Sequence, residues 1–508
     1  MAPGMIRGSD DDARFNDQCR DPWRDMDDGA RKRHQHHCPD TLAKPLEADV
    51  ESLAGDEMEP SSDPQQIACG GCFTQQLPFL VLLAPWFWGR LQVIPLFWRN
   101  APDVLPRHNV LGAGTGKYEI KFGDRVRSCE DVILLEEQGL AVMGCDPGRE
   151  RYNTVMGIFI PGPVTSADLY LYDYKTASTP DSQALRRIEL VGFDEGRLDF
   201  HTLGMGLDEQ TGTLFVANHR REAAAGASIE VFRLDVSSPE APTATHLRTI
   251  EHPLIHGPNS LAVVSGTEFF VTNDHYFLVK HHRVLAMLET YLAPPFGTVV
   301  HVRLDNNKYD DGSSSSKGVQ ASVVARLPYA NGIEFLNATT LAVASTSDAA
   351  VYLYTVTPNE EEEGAAHDAA PPRLAYTGTK IPVPFLPDNL SVTSSLSPSS
   401  SSSKKLLIAG HPHVLSTVKY AKTRYICNDP AELASAATSA EQQQYCADVE
   451  GQNRATSWVS EWDPATGQLR HLYSGTGYPS SATAVLDPAR GVGIMAGLYA
   501  KGIMVWRD

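Results

Sequence analysis

The chain has 508 residues, a formal net charge of −19 and a hydrophobic content of 42%. This is enough apolar material for a sizeable core, and a large all-β domain can absorb most of the length. The acidic balance argues against a nucleic-acid partner, which needs a basic face, and eight cysteines are too few for a disulfide scaffold.

In chain order, residues 1–75 are polar, charged and without apolar periodicity, so they read as a disordered tail. No apolar core follows Met1, so no signal peptide is expected there. Inside this tail, Arg31–Cys38 reads as solvated, and Cys69-Gly70-Gly71-Cys72 is a lone C-x-x-C, too little for a zinc or redox site. Residues 77–98 then run 22 positions with one charge, Arg90. The length matches a membrane span, and Trp86, Trp88 and Trp98 suit an interface. Pro78, Pro85, Pro95 and Arg90 weaken a straight spanning helix. The segment is expected to anchor the protein at a membrane; an interfacial helix, or a segment packed on the globular body, are the alternatives.

From about residue 117, runs of four to eight residues rich in Val, Leu, Ile, Tyr and Phe alternate with turn signals. Examples are Asp131–Leu135, Gly139–Met143, Asp168–Asp173, Gly212–His219, Glu268–Thr272, Thr340–Ala344 and Val351–Thr355. His281–Leu292 is the one helical pattern. Three low-complexity stretches, 305–317, 359–373 and 391–405, fall between strand-like runs and read as disordered loop insertions. Asn337-Ala338-Thr339 is a glycosylation sequon. Cys129 and Cys145 flank one hydrophobic run. Cys427 and Cys446 bracket a polar insertion and read as a loop staple worth about 3 kcal/mol, which implies an oxidising compartment. Asp463–Gln468 is a hairpin turn, and glycine-rich hairpins close the chain. Recurrent short hairpins of weak mutual similarity indicate a β-propeller; a double sandwich is the competing architecture.

Short polar clusters punctuate these runs: Ser128–Asp131, His256–Ser260, Val271–Phe277, Tyr329–Gly332, Pro387–Leu390 and Gly410–His413. Glu, Asp and Asn are hard oxygen donors, and Ca²⁺ takes 6–8 such oxygens. Single donors from well-separated strand ends meet only in a fold that aims many loops at one axis, as a propeller does.

Thr272-Asn273-Asp274-His275-Tyr276-Phe277, Ala330-Asn331-Gly332-Ile333, Asp388-Asn389-Leu390 and the terminal glycine-rich hairpins together resemble the serum paraoxonase/arylesterase family. The resemblance covers roughly residues 118–508 apart from the insertions. It implies an all-β, six-bladed propeller over 118–508, with two Ca²⁺ ions in its tunnel, that hydrolyses lactones, aryl esters and sometimes phosphotriesters. Carried over by motif, the ligands of the catalytic ion are Glu130, Asn259, Asn331, Asp388 and Asn389. That ion would polarise the ester carbonyl and stabilise the oxyanion while water attacks, since no G-x-S-x-G elbow is present. For the second, structural ion, Asp131 and a backbone carbonyl near Met205 match, but Ser260 stands where the family has Asp.

The resemblance also implies a histidine dyad, and here the chain departs from it. Leu203-Gly204 occupies the place of a family His-Gly pair, with His201 two positions earlier. His219 matches the second histidine, and His275 and His411 match positions at the tunnel mouth. These four are the candidate proton carriers; each is equally a packed core or loop histidine. The leading expectation is a calcium-dependent lactone or aryl-ester hydrolase, acting on a small molecule, membrane-associated through 77–98 and facing an oxidising lumen or the extracellular space. A gluconolactonase-like or strictosidine-synthase-like relative, or a non-catalytic calcium-stabilised binding propeller, are the alternatives.

Overall fold

The computed structural model describes residues 77–508, apart from 177, 195, 223–225, 306–317, 359–369, 394–403 and 449–453. The tail 1–75 therefore lies outside the described residues, as do most of the three low-complexity insertions. Six antiparallel sheets of four strands follow one another in the chain. Their first strands are Cys129–Leu135, Thr202–Asp208, Pro258–Ser265, Ala330–Asn337, Leu386–Val392 and Ser481–Asp487. The sixth sheet takes its outermost strand from Glu119–Lys121, which pairs antiparallel with Ile503–Arg507. This closes the ring and makes the fold a six-bladed propeller. Two additions were not legible in the sequence. Glu189–Val191 pairs parallel on the edge of the second sheet. His108–Asn109 pairs with Gln468–Gly475 on the fifth, so sheet structure begins ten residues ahead of the expected boundary at 118.

The core is divided among six blade interfaces. Val132 and Tyr172 of the first blade meet Ile494 and Val505 of the sixth. Leu140 and Val142 meet Met205 and Leu214 of the second. Phe215 and Val231 meet Phe269 and Val300 of the third, and Phe270 and Val299 meet Ile333 and Val343 of the fourth. The same packing joins the fourth to the fifth blade and the fifth to the sixth. Phe269 and Phe270 show why these strands read as continuous apolar runs rather than alternations. Successive side chains point to opposite faces, and here both faces are covered by a neighbouring blade.

Residues 77–98 do not form one unbroken span. They make a helix, Leu77–Val93, and a short turn, Leu96–Arg99. Among the described residues no helix is long and apolar enough to cross a membrane. The C-terminal part of the segment is packed on the propeller. Arg90 is buried, donates to Ser347 O at 2.8 Å and pairs with Asp348. Phe97 is buried with Ala349 and Leu386. Trp88 and Leu91 stay exposed, at 64% and 67%.

The polar stretch after His413 is a helical insertion rather than a loop. His413 caps Val414–Cys427 by accepting from Ser416 N at 3.1 Å. Asp429 caps Pro430–Leu433, with proline at the first helical position. Cys427 bonds to Cys446 in the last helix, Ala440–Asp448, as the spacing suggested. A second disulfide, Cys129–Cys145, ties two neighbouring strands of the first blade.

A converging oxygen site on the propeller axis

Four of the six innermost strands carry their expected ligands near the N-terminal end. Glu130, Asn259 and Asn331 are each second in their strand, and Asp388 and Asn389 are third and fourth. At that end of every innermost strand the pairing register with its neighbour shifts: between Cys129 and Asp131, Thr202 and Met205, Pro258 and Leu261, Ala330 and Ile333, Pro387 and Leu390, and Ser481 and Thr483. Such irregularities twist a strand and re-aim its side chains. Ser128, Tyr329 and Ser480, which precede the strands of the first, fourth and sixth blades, hold φ of 55°, 44° and 53°. Left-handed backbone at a non-glycine residue costs about 1–3 kcal/mol and marks over-determined sites.

The side chains meet. Asn389 Nδ2 donates to Glu130 Oε1 at 2.7 Å and to Thr483 Oγ1 at 2.9 Å. Asn331 Nδ2 donates to Thr346 Oγ1 at 3.0 Å, and Thr346 donates on to Pro387 O at 2.7 Å. Thr272 Oγ1 donates to Asn331 O at 2.7 Å, and Thr483 Oγ1 to Glu130 O at 2.8 Å. Three threonines thus position the expected ligands from behind. Sequence reasoning missed them: Thr272 and Thr483 lie inside strands, where a β-branched residue looks like an ordinary strand former, and Thr346 lies in a short turn of helix, Thr346–Asp348, just after a strand. Asn331 and Asn389 commit their amide hydrogens to these bonds, so their oxygens face the other way. Glu130 Oε2, Asn259 Oδ1, Asn331 Oδ1 and Asn389 Oδ1 are all buried acceptors without a protein donor.

Such orphaned atoms are costly unless a donor such as water, or a cation, binds them. Three of the five expected ligands are amides, and among the described residues no three His, Cys, Asp or Glu cluster to hold a metal. Neutral amide oxygens with two carboxylates suit a hard cation such as Ca²⁺ rather than a softer ion. The electrostatics agree. Burial pushes the Glu130 carboxyl well above its ordinary range, and Asp131 and Asp388 push it further. Burial likewise carries Asp131 to about 6. A divalent cation relieves this repulsion.

Asp131 itself points elsewhere. It accepts from Met205 N at 2.7 Å and Val132 N at 2.8 Å, so both oxygens have donors. With Met205, Ser260 and Glu334 it lines a cavity of about 220 Å³ further along the innermost strands. Unlike the first site, this one has, among the described residues, no lining carboxylate or amide oxygen that is both fully buried and without a donor.

The four histidines do not form one cluster. His219 is buried with both ring nitrogens engaged, by Thr154 Oγ1 and by Pro258 O at 2.6 Å; burial lowers its pKa. His201 faces Asp146, 3.3 Å from Oδ2, and Leu203 is buried in the interface of the second and third blades. His275 sits between Asp274 and Thr290. Burial disfavours its charge, but Asp274 outweighs that and raises its pKa. Only His411 touches an expected ligand, with Nε2 3.0 Å from Asp388 Oδ2, and its buried Nδ1 has no partner. His275, His411, Tyr329 and Thr346 line one cavity of about 260 Å³.

Fold and site together define a six-bladed propeller with an oxygen-rich axial centre beneath a cavity. A family model described as arylesterase matches residues 154–334. Serum paraoxonase/lactonase 3 of Mus musculus is 26% identical over 231 residues, 42% of this chain and 62% of that protein. Serum paraoxonase/arylesterase 2 of Gallus gallus is 30% identical over 151 residues, 28% of this chain and 39% of that protein. The matches thus span less than two thirds of these relatives' length. A solved luciferin-regenerating enzyme aligns over 77% of this chain and 96% of its own, at 10% identity and a TM-score of 0.39. The chain resembles the serum paraoxonase/arylesterase family, as its motifs indicated.

Proposed function

We propose that this protein is a calcium-dependent hydrolase of lactones and aryl esters. The observation that carries this reading is the set of four orphaned acceptor oxygens, drawn from four blades, with Asn331 held by Thr346 and Glu130 by Asn389. Calcium, when bound, supplies polarisation of the substrate carbonyl and of water. Glu130, Asn259, Asn331, Asp388 and Asn389 would hold it. His411 is the best-placed proton carrier, because it orients on Asp388 and keeps Nδ1 free of protein partners. His219 fixes Pro258 beside Asn259 and is spent on that task. Val279, Met287, Leu386 and Val414, which also line the cavity, would exclude bulk water from the scissile bond. The two disulfides suit an oxidising lumen or the extracellular space.

The test is Asp388→Ala in the purified chain, with phenyl acetate and a δ-lactone as substrates and calcium content read by elemental analysis. Loss of bound calcium and of both activities is expected. Full activity with full calcium occupancy in the variant overturns the assignment.

A further inference from the structure

The cavity above the oxygen site has a polarity that the family resemblance does not explain. Two helices wall it, Val279–Leu292 and Val414–Cys427. Arg283, Ala286, Met287 and Thr290 of the first line the cavity, at the i, i+3, i+4, i+7 spacing of one helical face. Val414, Thr417, Val418 and Lys422 of the second line it at i, i+3, i+4, i+8, again one face. Arg283 and Lys422 therefore share the face of the apolar lining residues rather than the solvent face opposite. Both are exposed, whereas Ala286, Thr417, His275 and Tyr329 are at least half buried. Exposure puts the cations on the rim of the cavity, while His411 and Thr346, which contact the expected ligands, are largely buried. No Asp or Glu lines the cavity, although the whole chain carries −19. Neither cation has an ion-pair partner among the described residues.

We infer that the substrate carries an anionic group, a carboxylate at the far end of an apolar chain or ring, received by Arg283 and Lys422. This rests on the hydrolase reading of the same cavity and names its substrate class. Arg283 and Lys422 are specificity-determining residues, remote from the bond that breaks. The cavity's volume of about 260 Å³ holds roughly nine waters at about 30 Å³ each, so the substrate is small.

The test measures binding, so it does not depend on turnover. The full chain, with calcium, is titrated calorimetrically with 6-phenylhexanoate and with its neutral amide. The carboxylate is expected to bind about 10-fold more tightly, as two exposed ion pairs allow. In Arg283→Gln/Lys422→Gln the two ligands should bind equally, with the amide's Kd unchanged; each single variant should lose about threefold. Salt near 1 M should abolish the preference in the parent protein. Equal binding by the parent protein overturns the inference. So does a preference that survives in the double variant and disappears with chelator, which would place the carboxylate on the metal centre. Phenyl acetate turnover is followed in parallel: no hydrolysis with the preference intact sinks the hydrolase reading and leaves the anion site standing.

Discussion

Gly332 follows Asn331, an expected ligand, in the irregular part of its strand. A Cβ built there meets Asp388 O at 2.5 Å, Asn389 Cα at 2.7 Å and Leu390 N at 2.7 Å. All three atoms are backbone of the neighbouring blade, so no side chain can swing aside. Restoring ordinary contact requires the two innermost strands to part by roughly 1 Å. Overpacking of this kind costs about 1–3 kcal/mol of stability. The displaced backbone is the one that carries Asp388 and Asn389, and loss of outer-shell support typically lowers metal affinity about 10–100-fold. Gly332→Ala should therefore lose both stability in urea and calcium affinity by calorimetry. Gly123→Ala is the control, since a Cβ there meets nothing within 4 Å. If Gly332→Ala binds calcium as Gly123→Ala does, the strands are not held at the distance described and the oxygen site is misplaced.

Replacing Cys427 and Cys446 together by serine should cost about 3 kcal/mol in urea unfolding, because their loop spans 19 residues; an unchanged midpoint would show that the helical insertion needs no staple. Glu268 accepts from His301 Nε2 at 2.6 Å, and chiefly this bond holds its carboxyl below the usual range, against partial burial and with help from Arg303. A depressed carboxylate contributes stability that is present above its unfolded pKa, near 4.5, and is lost as pH falls through the folded value. Glu268→Gln should therefore flatten the acid side of the stability profile below about pH 4.5 without steepening it elsewhere; a parallel profile would refute the coupling.

The parts of the site that could be read from sequence are those with unusual residues at strand starts. Asn259, Asn331 and the Asp388-Asn389 pair each open an apolar run, where a strand former would be expected, and the structure gives the three asparagines buried oxygens without donors. Thr272 and Thr483 behind them were hidden by their own strand propensity, and Thr346 by its place in a short helical turn. Cys129–Cys145 was hidden for another reason. The two residues are partners only because Cys129 pairs with Cys145 across the hairpin, and register depends on the turn and on both faces of the sheet. The docking of residues 77–98 depended on Asp348, 258 residues after Arg90, a pairing no local pattern announces. The ring itself was legible as repetition, while the extra edge strand His108–Asn109 was not, since a two-residue strand gives no period.

The seam between Glu119–Lys121 and Ile503–Arg507 has a consequence for how the chain reaches its native state. These strands join segments nearly 400 residues apart, a contact of very long sequence separation, which folds slowly. Glu130 belongs to the first blade synthesised and Asp388 to the fifth, yet Asn389 bonds directly to Glu130 and both reach Thr483 of the sixth. The oxygen cluster can assemble only when the last blade is in place. On the ribosome the early blades must therefore wait with their edges open, exposed to mispairing. The oxygen cluster is a late marker of a completed ring, and on the calcium-dependent reading proposed above, calcium added during refolding should act on the final step rather than the first.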